Sequence, residues 1–576
     1  MNGAGDPAPG PLAGAEQWAA LGERELRTGR LGEATAAFRR ATELQPAVAS
    51  HWLHLGRIEA ARSRLAAAEA ALRRACALQP YAAAPHLALA DLLVQENRAQ
   101  EALEACDRAL AAEPDDLAAA VAEALLLPPI YADNNDLEAW RVRFADGLER
   151  LGTRLSRWLE RPEGVLAVEA TNFYLAYQGK DDLALQTAYG DFLAALLGRA
   201  VPELQAPIFP RRERRGRIRL GVVSSNLRVS TVGDYFGAWI TDLPRDRFEV
   251  TAVLCAGIPD VRTEWLARAC DRFVAAHGGA RDIAVTLRSL ELDILLFLDV
   301  GMTPWGGVLS NLRLAPVQCA AWGHPVTTGS AFIDRFLSCA EMEPRDADRH
   351  YREKLVLLPG LGTHYRPPPR VEPARREDFA LPASGPIYLC PHALFKIHPD
   401  ADALFLELLR RDRHATLVFV AATTAGQRQA FVQRLERGMR ERDLEQRQQI
   451  KLLPLLSHRD FRRLMTVADV MLDTPHWSGG STSLDALGAS LPIVTLEGKF
   501  MRGRQSAAML RIVGVPELVA SDEAAYVEIA LRVAGDPAYR DALARRIEEG
   551  WPRLVNRSEP IEALATALAA MIDARR

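Results

Sequence analysis

The first part of the chain reads as helices, with apolar positions at three- and four-residue spacing and charged residues between them. The pattern also repeats on a longer scale. Leu21, Leu55 and Leu89 are 34 residues apart, as are Ala34, Ala68 and Ala102, Ala41, Ala75 and Ala109, and Pro46, Pro80 and Pro114. Trp18 and Trp52 keep the same step, with His86 in the third place, and Phe38, Leu72 and Cys106 fill one apolar column. From Arg217 the texture changes. Short β-rich runs, RIRLGVVSS (217–225), FEVTAVLCA (248–256), DILLFLDV (293–300) and IDRFLSC (333–339), alternate with helical segments. A break rich in Pro and charge, PGLGTHYRPPPRVEPARRED, precedes a second series: PIYLCP (386–391), ATLVFVAA (415–422), IKLLPLL (450–456), VMLDT (470–474) and LPIVTLE (491–497). Such alternation predicts parallel βαβ units.

A 34-residue period with W-x2-L-G early, A-x3-F midway and a closing Pro is the tetratricopeptide (TPR) pattern. The usual aromatic after the Gly is replaced by Glu25, Glu59 and Leu93. Small residues such as Ala34 let two helices approach, Phe38 fills the space between them, and Pro ends the second helix. About three repeats, residues 1–116, are near the smallest stack that buries a continuous apolar face. Residues 117–210 keep helical spacing without the register and are expected to form a helical adaptor. Arg211, Arg212, Arg214, Arg215 and Arg217 then precede the first strand and read as a solvated linker. Residues 211–378 and 379–576 are expected to be two doubly wound lobes facing a cleft, with ligands bound beyond the carboxyl ends of the strands.

Composition narrows the partners. Against 70 Lys+Arg stand 74 Asp+Glu, a net charge of −4, without the basic excess that nucleic-acid binding requires. Seven cysteines without a CxxC pair argue against a disulfide framework or a cysteine zinc site. The start, MNGAGDPAPGPLAGAEQW, lacks the basic and apolar regions of a signal peptide, and no run of about 18 apolar residues spans a bilayer. The expectation is a soluble, cytoplasmic protein with neither nucleic acid nor membrane as partner.

Four segments carry chemistry. In VMLDTPHWSGGSTSLDALG a strand ends near Thr474, a turn holds Gly479 and Gly480, and Ser481 and Thr482 open a helix. Glycines let backbone N–H groups approach an anion, and a helix start presents unpaired donors. Asp485, one turn on, is placed to accept from ribose hydroxyls. Taken alone, Ser481 reads more readily as an ordinary helix cap. The run is neither a GxGxxG nor a Walker loop, so NAD binding and ATPase chemistry have no support. In PHALFKIHPD, Lys396 follows a strand and precedes a Pro-started helix, where its charge suits a diphosphate; a lone loop lysine is as often only solvated. APVQCAAWGHPVTTGSAFID sets Gly323, His324 and Pro325 in a tight turn before Thr327 and Thr328, and in LLSHRDF Leu456 ends a strand and His458 begins a helix.

TPR repeats followed in order by APVQ…WGHPVTTGS…ID, LFKIHP, LLSHRDF, ADVMLDT and GGSTSLDALGASLPIVTLEG resemble the O-GlcNAc transferase family, with its SPINDLY-type and bacterial adhesin N-glucosyltransferase relatives. The resemblance implies a TPR solenoid followed by an α/β GT-B fold and an inverting glycosyltransferase. Its donor would be a UDP-sugar, UDP-GlcNAc first, and its acceptors protein Ser/Thr or Asn side chains reached through the TPR groove. By position, Lys396 would contact the diphosphate and Gly479, Gly480, Ser481 and Thr482 would supply phosphate donors. Asp485 would hold the ribose, and the Leu456 backbone with His458 would frame the nucleoside. Gly323 and Pro325 would line the sugar pocket, and His324 would sit by the transferred sugar or the acceptor. No cofactor or metal is implied, since the cleft segments hold no DxD-like pair and a Lys with a helix start supplies the same electrostatics. Ser230 and Gly480 stand where relatives carry His, so the general base is unassigned among Asp234, His277 and His324. A non-catalytic TPR adaptor, another donor sugar and a non-protein acceptor are the alternatives.

Overall fold

The computed structural model describes residues 14–209, 216–421, 423–444 and 449–574. Arg211, Arg212, Arg214 and Arg215 of the basic cluster lie outside them, as does the chain start through Pro11, Leu12 and Ala13. The chain divides into two compact units, Met1–Pro129 and Ile130–Arg576.

In the first unit three antiparallel helix pairs follow one another: Ala15–Arg27 with Leu31–Leu44, Ala49–Ala61 with Leu65–Leu78, and Ala83–Gln95 with Ala99–Ala112. The helix Leu117–Leu125 packs on the last pair and closes the unit. The 34-residue columns are the contact seams. Ala34, Ala68 and Ala102 are fully buried, as are Ala41, Ala75 and Ala109. Across each pair, size is exchanged. Gly22 faces Phe38, Gly56 faces Leu72, and a Cβ on either glycine would lie 2.5–2.6 Å from that side chain. In the third repeat Cys106 takes the bulky column, and the matching position enlarges to Ala90, 3% exposed. Glu25 and Glu59, which displace the usual aromatic, are buried and neutralised by arginines whose own side chains reach water. Arg30 and Arg24 pair with Glu25; Arg39 and, at 3.7 Å, Arg64 pair with Glu59. Leu93 needs no such partner.

The second unit begins with helices, the longest being Asn134–Thr153 and Leu183–Ala200, and continues into two parallel sheets. The first contains β1 (Ile218–Ser224), β2 (Phe248–Cys255), β3 (Arg272–Ala276), β4 (Ile294–Phe297), β5 (Val317–Ala321), β6 (Arg335–Cys339) and β7 (Lys354–Leu358) in the order β3-β2-β1-β4-β5-β6-β7. The second contains β8 (Ile387–Cys390), β9 (Thr416–Val420), β10 (Ile450–Leu453), β11 (Val470–Leu472), β12 (Ile493–Leu496) and β13 (Val519–Ala520) in the order β10-β9-β8-β11-β12-β13. Each order reverses once, at β1/β4 and at β8/β11. Loops diverge at such a point and leave a crevice beyond the strand ends. The chain returns at its end: the helix Glu559–Asp573 packs on the first sheet, with Met571 Sδ 3.6 Å from Cys319 Sγ of β5.

Candidate active site

Lys396 and the glycine turn follow β8 and β11 at the second reversal point, while Gly323, His458 and His277 follow β5, β10 and β3. Past β1 and β4, Ser224 Oγ and Asn226 Nδ2 each donate to Asp299 Oδ2 at 2.7 Å, and burial pushes this carboxyl up. Gly323 follows β5, and its amide donates to Leu298 O at 2.9 Å. A Cβ there would meet the same carbonyl at 2.4 Å, so only glycine passes. The turn delivers His324 into the interior. Its ring stacks on Phe173, 5.6 Å between centroids, lies 6.3 Å from Trp477, and leaves Nε2 buried without a hydrogen-bond partner. Burial, then Arg502 and Lys396, push its pKa down to about 3. The ring is therefore neutral and too weak a base to take a proton at neutral pH.

Lys396 approaches from the other lobe, in a short 3-10 turn after β8. Its Nζ stands 5.5 Å from the Trp477 ring centroid and 5.9 Å from that of Phe395. Ala176, Tyr177, Val326 and Trp477 form a core against which Phe173, Tyr174 and Phe395 pack. Among the described residues no carboxylate pairs with Lys396, and burial lowers its pKa to about 8. An ammonium held among aromatic faces without a counter-ion is a site for an anion.

The glycine turn following β11 is braced by a residue not singled out from the sequence. Asp473, fully buried, accepts from Ser478 Oγ (2.8 Å), the Gly479 amide (2.8 Å) and Thr495 Oγ1 (2.7 Å), and His392 Nε2 lies 3.1 Å away. Burial alone would raise this carboxyl; His392 and the hydrogen bonds outweigh it and hold it low. Ser478, Ser506 and Ser483 continue as a buried hydroxyl chain with contacts of 2.9 and 2.7 Å. A Cβ on Gly479 would run into Ser483 Oγ at 2.2 Å. The helix Ser481–Gly488 then starts with Gly480, not a capping side chain, at its N-cap, and Ser481 Oγ is buried without a partner. So Ser481 does not cap; its hydroxyl, beside the open helix start, is free for a ligand.

One turn on, Asp485 belongs to a second group. It lines a cavity of about 350 Å³ with Tyr365, Arg462, Thr466 and Trp551, and burial lifts its carboxyl to about 6 against the opposing pull of Arg462. Asp234 of the first lobe faces this group and pairs with Arg262 at 2.7 Å. His458 starts the helix His458–Met465 as expected, capped by Ser457, and is exposed. β10 ends at Leu453, not Leu456: Pro454 has no N–H to give the ladder and Leu455 is exposed, so Leu456 sits in the loop. Of the candidate bases, His277 is exposed beside the edge strand β3, and Ser230, in place of the family His, caps the helix Thr231–Tyr235 by accepting from the Gly233 amide at 3.1 Å.

Residues 361–553 match the family model described as glycosyl transferase family 41. The chain is 25% identical over 344 residues, 58% of its length, to a probable UDP-N-acetylglucosamine–peptide N-acetylglucosaminyltransferase, SEC, of Arabidopsis thaliana. It is 31% identical over 227 residues, 39% of its length, to the probable enzyme of the same description, SPINDLY, of Solanum lycopersicum. Its second lobe is thus similar to glycosyl transferase family 41. The chain spans 34% and 24% of the lengths of these two relatives. A solved mutant of the Thermobaculum terrenum O-GlcNAc transferase shares the fold, with a TM-score of 0.73, 24% identity and coverage of 97% of this chain and 98% of that one. Repeats followed by two α/β lobes are thus the architecture this chain shares with that structure.

Proposed function

We propose that the protein is an inverting glycosyltransferase that moves a sugar, GlcNAc from UDP-GlcNAc, onto Ser/Thr or Asn side chains of proteins presented by the repeats. The observation that carries this reading is the unpaired, half-buried Lys396 ammonium facing His324 across the interlobe crevice, with the unpartnered Ser481 hydroxyl at the adjacent helix start. In the reaction, an acceptor heteroatom attacks the anomeric carbon while the bond to the diphosphate oxygen breaks, and UDP leaves with the bonding pair. Charge grows on the diphosphate, where preorganised donors act most strongly. Lys396 and the amides and hydroxyls of Gly480, Ser481 and Thr482 take that role, and the reading therefore requires no metal. Asp485 holds the ribose, and Leu456 and His458 frame the nucleoside. Gly323 and Pro325 shape the sugar pocket, and His324 positions sugar or acceptor through Nε2. The reaction is expected in the cytoplasm.

Lys396→Ala is expected to lower turnover about 10²–10³-fold. The measurement is release of free UDP from UDP-GlcNAc together with modified peptides mapped by mass spectrometry in host lysate, and near-normal turnover in the variant overturns the reading. The helix-capping role of Ser230 favours one rival, a TPR adaptor that binds nucleotide without turnover. Absence of UDP release from the unaltered protein across a panel of UDP- and GDP-sugars would support that rival.

A further inference from the structure

On the rim of the same crevice, three side chains converge from both loops that flank β8/β11. His398 follows Lys396 by two residues, Asp400 opens the helix Asp400–Arg411, and His476 precedes Trp477. One ligand atom from each lies within 4.8 Å of the others. Asp400 Oδ2 is 2.7 Å from His476 Nε2 and 3.3 Å from His398 Nδ1. We propose that these three residues bind a zinc-class divalent cation that ties the Lys396 segment to the glycine turn.

Three observations support a built site. First, the spacing suits the ion. Zinc bonds of about 2.0–2.1 Å in a tetrahedral shell set neighbouring ligand atoms ~3.3 Å apart, the separation of His398 Nδ1 and Asp400 Oδ2, and leave a fourth position for water. His476, about one-third exposed, has room to exchange its 2.7 Å hydrogen bond to Asp400 for a metal bond. Second, a supporting shell exists. Asn134 Nδ2 donates to Asp400 Oδ1 at 2.7 Å, which turns Oδ2 toward the imidazoles, as outer partners of metal ligands do. Third, His476 is held at a cost. Its φ of 68° lies in the left-handed region, which non-glycine residues seldom occupy. Its ring rests on Gly179, where a Cβ would approach Cγ to 2.6 Å.

The electrostatics agree. The Asp400 amide donates to His398 Nδ1 at 3.2 Å, so that nitrogen is unprotonated and a cation bound there would take over the lone pair the amide now holds. The nearby Arg434 is already paired with Asp402 at 2.8 Å.

The test uses the full chain, stripped with EDTA, desalted and titrated calorimetrically with ZnCl2, with metal content counted after gel filtration. One zinc per chain is expected, with a Kd on the order of 1 μM or tighter and a raised melting temperature; MgCl2 should give neither. His398→Ala and His476→Ala should each abolish the stoichiometric binding and the thermal shift. Asn134→Ala should weaken binding about 10–100-fold. If His398→Ala fails to fold, His476→Ala, at a partly exposed position, carries the test. Lack of saturable zinc binding overturns the proposal, as does stoichiometric binding that survives either histidine substitution. The readout needs no turnover, so it stands or falls separately from the transferase reading.

Discussion

Single side chains set the chemistry by being denied their usual partners. Lys396 illustrates this. Burial lowers its pKa to about 8, so the ammonium is charged below that pH and loses its proton as pH rises through it. A diphosphate beside it favours the charged form and moves the pKa back up, so binding UDP above pH 8 must draw a proton from solvent. Calorimetry of UDP binding at pH 8.5–9, in two buffers of different ionisation enthalpy, should register uptake approaching one proton per chain. UDP affinity should fall about tenfold for each pH unit above 8, until the pKa of the bound lysine is reached. In Lys396→Arg, whose charge does not titrate, the uptake should disappear. Buffer-independent heats in the unaltered protein would place the diphosphate elsewhere. His324 differs in sign of use: with its pKa near 3 it is neutral throughout this range and contributes no titration.

Elements show how much could be read in advance. The repeat columns were legible because each position does the same job every 34 residues, and each of the nine β-rich runs contains a strand. β5 escaped because Cys319, Ala320 and Ala321 have little strand preference, yet all five of its residues are buried, where small side chains admit the returning helix. β3 and β7 escaped as exposed edges, and β13 is only two residues long. Lys396 and Ser481 stood out by following strands. Asp473, His392 and Ser506 did not, since their role lies in contacts between segments far apart in sequence. The glutamates of the repeat unit give a prediction at this scale. Glu59 is 1% exposed, while Arg39 and Arg64 keep about half of their side chains in water. Removing the acid therefore strands no buried cation. Glu59→Leu, imitating Leu93, should leave stability unchanged or raise it by about 1 kcal/mol, whereas Glu59→Ala leaves a void costing about 2 kcal/mol. Urea denaturation of the full chain, followed in the repeat transition, distinguishes the two.

At the scale of the two-lobe unit, the chain crosses between lobes twice. The first crossing leaves β7 and is pinned to the first lobe where Tyr235 Oη donates to Leu361 O (2.8 Å) and Trp239 Nε1 to Gly362 O (3.0 Å). It then runs through Pro367, Pro368 and Pro369 to Arg370, whose side chain is 71% exposed. The second crossing runs alongside, with the Asn556 amide donating to Tyr365 O at 3.0 Å, and ends in the helix Glu559–Asp573. That helix buries Ile561, Leu564, Leu568 and Ile572, each at most 4% exposed. At about 1.5–3 kcal/mol for each such side chain, the return contributes on the order of 8 kcal/mol, comparable to the stability of a whole domain. The covalent linker is therefore not what keeps the lobes together. A site-specific protease sequence inserted after Arg370 and cut should leave one particle on gel filtration, still able to bind UDP. In a chain ending before Ser558, the same cut should let the halves separate, because the first sheet loses its cover and the second lobe its anchor. Separation of the cut full-length chain would show instead that the linker, and not the returning helix, holds the crevice closed around its ligand.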